Sequence, residues 1–140
     1  MPATLESPGG EPLFTLLYVS ELKGDDAGEI DRICRQSRAN NERDDITGLL
    51  VFDGHAFCQF VEGPPVAIAA LRERLERDPR HVDMRVLHQG PTPSGRRFPG
   101  WRLGYAYSAD PAAIARLDDK RGSDALLAFD RIHPSLTAST

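Results

Sequence analysis

The stretch DITGLLVFDGHAFCQFVEG, Asp45 to Gly63, restricts the fold more than any other part of the chain. Two runs rich in β-branched and aromatic residues flank Asp53-Gly54, a dipeptide suited to turn positions with positive φ. Together they predict a tight antiparallel hairpin. Successive strand side chains point to opposite sides, so Phe57, Gln59 and Val61 share one face and Cys58, Phe60 and Glu62 the other. The second run therefore reads as a buried strand with a primary amide among apolar neighbours. That amide carries two donors and an acceptor with two lone pairs. Unpaired in such a setting it would cost about 1–3 kcal/mol, a sizeable part of a small domain's stability. Gln59 needs a partner: a neighbouring side chain, a backbone group or a buried water on one reading, the polar edge of a ligand on the other.

Upstream, LFTLLYVS predicts a first strand with Phe14, Leu16 and Tyr18 on one face and Thr15, Leu17 and Val19 on the other. Apolar residues on both faces suggest a central position in the sheet. After KGDD, where Asp25 or Asp26 serves as N-cap, Ile30, Ile33, Cys34 and Ser37 recur at helical spacing. The helix they predict runs to about RANN, whose paired asparagines suit a helix end. A second helix follows in PPVAIAALRERLERDPRH, with prolines in its first turn, a stripe of Ile68, Leu71 and Leu75, and Pro79 as its stop. VDMRVLHQ and WRLGYAY give a fourth and a fifth strand, joined by GPTPSGRRFPG. Two short amphipathic segments, 110–117 and 124–129, are expected to cover one face of the sheet. The order βαββαββ predicts an α+β, ferredoxin-like fold: a five-stranded mixed sheet with two helices on one face and short C-terminal helices. Residues 1–12 read as a flexible lead-in, 13–107 as the folded domain and 108–140 as C-terminal helices and tail.

Bulk composition narrows the function classes. With 140 residues, 40% hydrophobic and 27% charged, the chain fits one soluble globular domain. A formal net charge of -4, with arginines scattered among acidic residues, argues against nucleic acid as the main partner. Cys34 and Cys58 lack metal or redox spacing and are expected to be reduced, buried thiols of a cytoplasmic protein. No apolar run approaches a membrane span, and MPATLESPGGEP lacks the regions of a signal peptide.

Enzyme templates fit poorly. SPGGEP precedes any strand and lacks the spacing of a phosphate loop. His55, His81, His88 and His133 fall in different elements without metal-ligand spacing, and no Ser, His and Asp set is marked by a nucleophile elbow. What remains is a set of polar residues on elements that otherwise read as core. These are Tyr18 late in the first strand, Asn40 and Asn41 at the end of the first helix, Gln59, and Asp78, Arg80 and His81 after the second helix. Taken singly, each has an ordinary structural reading as a core tyrosine, a cap or a turn residue.

Their combination resembles a known family. LLYVS, SRANNERDDITGLLVFDGHAFCQFVEGP, DPRH and RRFPGW match, in order and spacing, the signature of BLUF domains, blue-light sensors using FAD, over about Leu13 to Tyr107. The resemblance implies that residues 13–107 bind a flavin, FAD with FMN or riboflavin as alternatives, between the two helices. It makes Tyr18 the photoactive tyrosine and Gln59 the glutamine between it and the flavin. Asn41, with Asn40 beside it, is implied at the polar edge of the ring. Asp78, Arg80 and His81, joined by Arg74, fall where the family contacts the pyrimidine side or tail. Trp101 is similar to a tryptophan that reorders in several members, and Leu103 stands where many carry Met. Leu keeps the volume but lacks the sulfur acceptor and the flexibility of Met, a departure that bears on signal output and not on flavin binding. The implied mechanism is light-driven electron and proton transfer from Tyr18 to the flavin, with the Gln59 amide rotated or tautomerised on return and absorption shifted to the red. No substrate is turned over. The signal is expected to reach a protein partner or a second copy of the chain, without membrane involvement. A ferredoxin-like interaction domain that has lost its photocycle and a small flavin enzyme are the competing readings.

Overall fold

The computed structural model describes residues 12–22, 27–92, 95–110, 112–132 and 137–139. In chain order the elements are β1 (Phe14–Leu22), α1 (Ala27–Asp44), β2 (Thr47–Phe52), β3 (Ala56–Gly63), α2 (Pro65–Arg77), β4 (His81–Pro91), β5 (Gly104–Tyr107), α3 (Ala113–Asp118), α4 (Ser123–Ile132) and β6 (Thr137–Ser139). The strands form one sheet in the order β4-β1-β3-β2-β5-β6. β2 and β5 run parallel, and the other neighbours are antiparallel. The expected ferredoxin-like arrangement is present, with β1 inside the sheet as its two apolar faces required. β6, paired with β5, is an addition from a tail that sequence periodicity left unassigned.

Strand alternation divides the interior into two layers. Leu16, Tyr18, Leu50, Phe57 and Val61 pack under Ile30, Ile33 and Cys34 of α1 and Ile68, Leu71 and Leu75 of α2. Leu17, Val19, Leu49, Val51, Cys58 and Phe60 pack against Ile114 and Leu117 of α3 and Ala125 and Phe129 of α4. The first layer is called the cleft face below, the second the far face. Cys34 and Cys58 are free and buried. Among the described residues no helix is long and apolar enough to cross a membrane, and no three His, Cys, Asp or Glu side chains are placed to hold a metal ion.

Three boundaries differ from the sequence reading. The first helix continues past Asn40 and Asn41 to Asp44, because the chain closes it differently. Asp45 takes φ +59 and the Ile46 N–H bonds Asn41 O at 2.9 Å, the six-to-one bond of a Schellman end. The Asp25 and Asp26 cap lies outside the described residues. The hairpin has no two-residue turn: strand pairing stops at Phe52 and Phe57, and only Gly54 of the loop has positive φ, at 97°. Asp53 closes the loop with its carboxylate, which accepts from the His55 and Ala56 N–H groups at 2.9 and 2.8 Å. Finally, β5 begins at Gly104 rather than at Trp101. The Trp101 ring folds back over Gly104, where an added Cβ would lie 2.3 Å from it, so residues 101–103 approach the sheet as irregular chain.

Candidate functional site

Tyr18 and Gln59 are direct cross-strand partners of β1 and β3, which puts their side chains side by side on the cleft face. Tyr18 is fully buried and Gln59 is 3% exposed. The Tyr18 hydroxyl donates to Gln59 Oε1. Phe57 meets the tyrosine ring edge-on, with centroids 6.2 Å apart. Beside Tyr18 the pairing of β1 with β4 slips: Leu17 faces His88 and Tyr18 faces Val86, leaving Leu87 as a bulge. Bulges of this kind re-aim side chains next to functional sites. Burial above all, with the Asp78 charge adding to it, holds the phenol well above its ordinary pKa, so Tyr18 stays a hydrogen-bond donor. The Gln59 amide nitrogen has no hydrogen-bond partner among the described residues.

Asn41, 1% exposed, is held in place by the fold. Its Nδ2 donates to Arg102 O at 2.5 Å, while its Oδ1 has no hydrogen-bond partner among the described residues. Asn40 is half-buried beside it. The other predicted polar residues bridge α1 and the second helix region. Arg74 Nη2 lies 3.5 Å from Asp44 Oδ2 at the last turn of α1. Hydrogen bonding from Arg43, helped by the charges of Arg43 and Arg74, keeps the Asp44 carboxyl below the usual range. Asp78 accepts from the Arg80 N–H at 2.9 Å and from its guanidinium at 2.6–3.1 Å, which raises the pKa of Arg80 further. Arg80 Nη2 also donates to Gln36 Oε1 of α1 at 3.0 Å. The His81 backbone opens β4, and its side chain lies outside the described residues. Solvent-facing bridges of this kind are worth at most about 1 kcal/mol each, so a ligand can displace them at little cost.

Trp101 and Leu103 part company. Leu103, 1% exposed, joins the cleft-face core, whereas Trp101 lies on the far face, stacked on Phe98 with centroids 5.8 Å apart.

A family profile described as sensors of blue light using FAD, BLUF, matches residues 13–104. The chain belongs to the BLUF family. Photoactivated adenylate cyclase subunit beta of Euglena gracilis is 30% identical over 118 residues, 83% of this chain and 14% of that protein. The chain thus spans a small part of that curated relative. Among solved structures, the BLUF protein BlrB in its dark state is 34% identical with a TM-score of 0.67, over 76% of this chain and 80% of that one. Klebsiella pneumoniae BlrP1, described with FMN and cyclic diGMP, is 33% identical with a TM-score of 0.59, over 65% of this chain and 24% of that one.

The BLUF cleft face suits a flat group with polar edges. On two buried residues, the Gln59 amide nitrogen and the Asn41 amide oxygen have no hydrogen-bond partner among the described residues and are left available to a ligand. A flavin ring offers complementary acceptors and a donor. Two residues of this BLUF chain escaped the sequence reading. Glu62 is fully buried on the far face. Its carboxylate accepts the Arg97 and Phe98 N–H groups at 2.9 and 2.7 Å and the Thr47 hydroxyl at 3.3 Å. The strand parity that flags Gln59 flags Glu62 equally. Arg38, whose Nε donates to Leu103 O at 2.9 Å, left no signal, since helix arginines are ordinarily solvated.

Proposed function

We propose that the protein is a blue-light photoreceptor that holds FAD without a covalent bond and uses Tyr18 and Gln59 as its light-responsive pair. Asn40, Asn41, Arg74, Asp78, Arg80 and His81 are assigned to holding the pigment together with that pair. A bound flavin supplies blue-light absorption and, once excited, a strong electron acceptor. Tyr18 is the electron donor, and loss of an electron makes its phenol acidic. Gln59 Oε1, which already accepts the Tyr18 hydrogen bond, is the first station for the proton. The amide then rotates or tautomerises, exchanging a donor and an acceptor within one volume. When electron and proton return to Tyr18, the altered amide persists, offers a changed hydrogen bond to the pigment and shifts its absorption to the red. Nothing covalent is made, so the dark state recovers thermally.

The observation that carries this reading is the buried Tyr18–Gln59 pair, in which one side of the amide is engaged and the other open toward the helices. Two free buried cysteines agree with action in the cytoplasm. The signal leaves through the Trp101–Leu103 segment, β5 and the C-terminal helices to a protein partner or a second copy of the chain.

Purification tests the proposal. A yellow protein whose absorption moves reversibly to the red under blue light, with no added reductant, is the expected result. Extraction should release FAD, and recovery of FMN or riboflavin would correct the pigment. A colourless protein that takes up no flavin, or one that bleaches only with reductant, would overturn the photoreceptor reading.

A further inference from the structure

Residues 101–103 belong to no strand or helix, yet each of their carbonyls is captured by a different donor. Trp101 O accepts from the Gly48 N–H at 2.9 Å, Arg102 O from Asn41 Nδ2 at 2.5 Å and Leu103 O from Arg38 Nε at 2.9 Å. The first donor belongs to the sheet. The other two stand three residues apart in α1 and therefore on one side of it. Arg38 and Asn41 thus fasten α1 to the chain entering β5, where no ladder would otherwise satisfy those carbonyls. The same three residues connect the two faces of the sheet, since Leu103 packs in the cleft core and Trp101 against the far one.

We infer that Arg38 is a positioning residue of the light response, holding Leu103 O so that changes at Asn41 move Trp101. The inference rests on the photoreceptor reading above. Asn41 has two duties there: its amide faces the pigment edge and also holds Arg102 O, next to the tryptophan. A turn of that amide alters the grip on Arg102. If Leu103 were free, the adjustment would dissipate by a slide of the chain toward β5. With Leu103 pinned, it is delivered to Trp101. A guanidinium suits the task because its donors are planar, fixed in direction and charged at every physiological pH. The half-buried Arg38 makes no hydrogen bond to Tyr18 or Gln59 among the described residues, so its role is separable from the photochemistry.

The test uses the flavin-loaded protein and compares amide hydrogen exchange over residues 101–106 in darkness and under blue light, with the red shift recorded on the same samples. In the unaltered protein, light should change exchange in this segment. Arg38→Met keeps the aliphatic stem and removes every donor. It should retain the flavin and its red shift, speed dark exchange about fivefold, as loss of one net hydrogen bond implies, and abolish the light–dark difference. Arg38→Lys, which can still donate to the carbonyl, should restore that difference. Should Arg38→Met not fold, Arg38→Leu, which also carries no donor, takes its place.

Were the arginine merely to stabilise the fold, its removal would raise exchange equally in darkness and light and leave the difference intact. That outcome, or a Lys variant that behaves like Met, overturns the inference. A red shift in the unaltered protein without any light–dark exchange difference also sinks it, while the photoreceptor reading stands. Absence of the red shift in the unaltered protein removes both.

Discussion

The two faces of this sheet treat buried polarity in opposite ways. On the far face, Phe60, Phe98 and Phe129 form a ring cluster with centroids 5.3–6.3 Å apart, and Trp101 extends it. The charged intruder there, Glu62, receives three donors and ties the 97–98 backbone to β3. On the cleft face, Tyr18 and Gln59 sit among equally apolar neighbours, but the amide is engaged on one side only. A polar group with its valences filled is a fastening. One with a valence left open, in a layer between sheet and helices, is a socket. Substitutions on the far face should therefore disturb stability and leave the spectrum alone, with the reverse on the cleft face.

The sharpest break comes from Gln59→Leu and Tyr18→Phe. Each should bind flavin yet lose the reversible red shift completely, with stability changed by about 1 kcal/mol as for a single hydrogen bond. Absorption spectra before and after illumination, together with urea unfolding, check both halves; a normal photocycle in either variant would refute the role given to that residue. On the other face, Phe129→Ala should destabilise by about 3–5 kcal/mol, the range for deleting a buried phenyl ring. Its surviving folded fraction should show the full red shift per bound flavin, and a lost shift at unchanged stability would erase the division between faces.

Smaller effects refine the contrast. Glu62→Ala leaves two backbone N–H groups short of their acceptor and should cost about 1–3 kcal/mol. Trypsin should then cut more readily after Arg96 and Arg97, and unaltered cleavage would mean that the carboxylate does not hold this loop. The smallest effect is a pH dependence. Desolvation lowers the pKa of His88, whose Nε2 is buried without a hydrogen-bond partner among the described residues. The unfolded imidazole therefore takes up its proton at higher pH than the folded one. The stability linked to His88 is fully present above about pH 6.5 and is lost as pH falls through the lower folded-state value. His88→Gln should flatten the slope of the urea midpoint over that interval, and an unchanged slope would assign it to other groups.

How much of this was legible in the sequence depends on whether a feature is local. Strand parity alone puts Gln59 with Phe57 and Val61, and Tyr18 with Leu16, because period two needs no knowledge of the fold. That the two residues meet is a matter of register between strands far apart in the chain, and only the family resemblance anticipated it. Ile68, Leu71 and Leu75 announce the buried stripe of α2, and Pro79 its end. The end of α1 was not legible in the same way. Asn41 has the chemistry of a cap, but its side chain goes to Arg102 O and a left-handed Asp45 ends the helix instead. Trp101 was misplaced for a related reason: an alternating run continued to its ring, while contacts with β2 and α1 decide where the ladder starts. Arg38 was illegible, because nothing in a helical arginine tells that a distant carbonyl awaits it.

The ring of Trp101 rests where Gly104 offers no side chain, and a single methyl there would overlap it. Position 104 is accordingly an engineering handle on the indole. Gly104→Ala would displace Trp101 from its seat permanently, in darkness as in light, while every atom of Tyr18 and Gln59 keeps its chemistry. Such a variant would uncouple seeing from reporting: a protein that still changes colour, with its output fixed in one position.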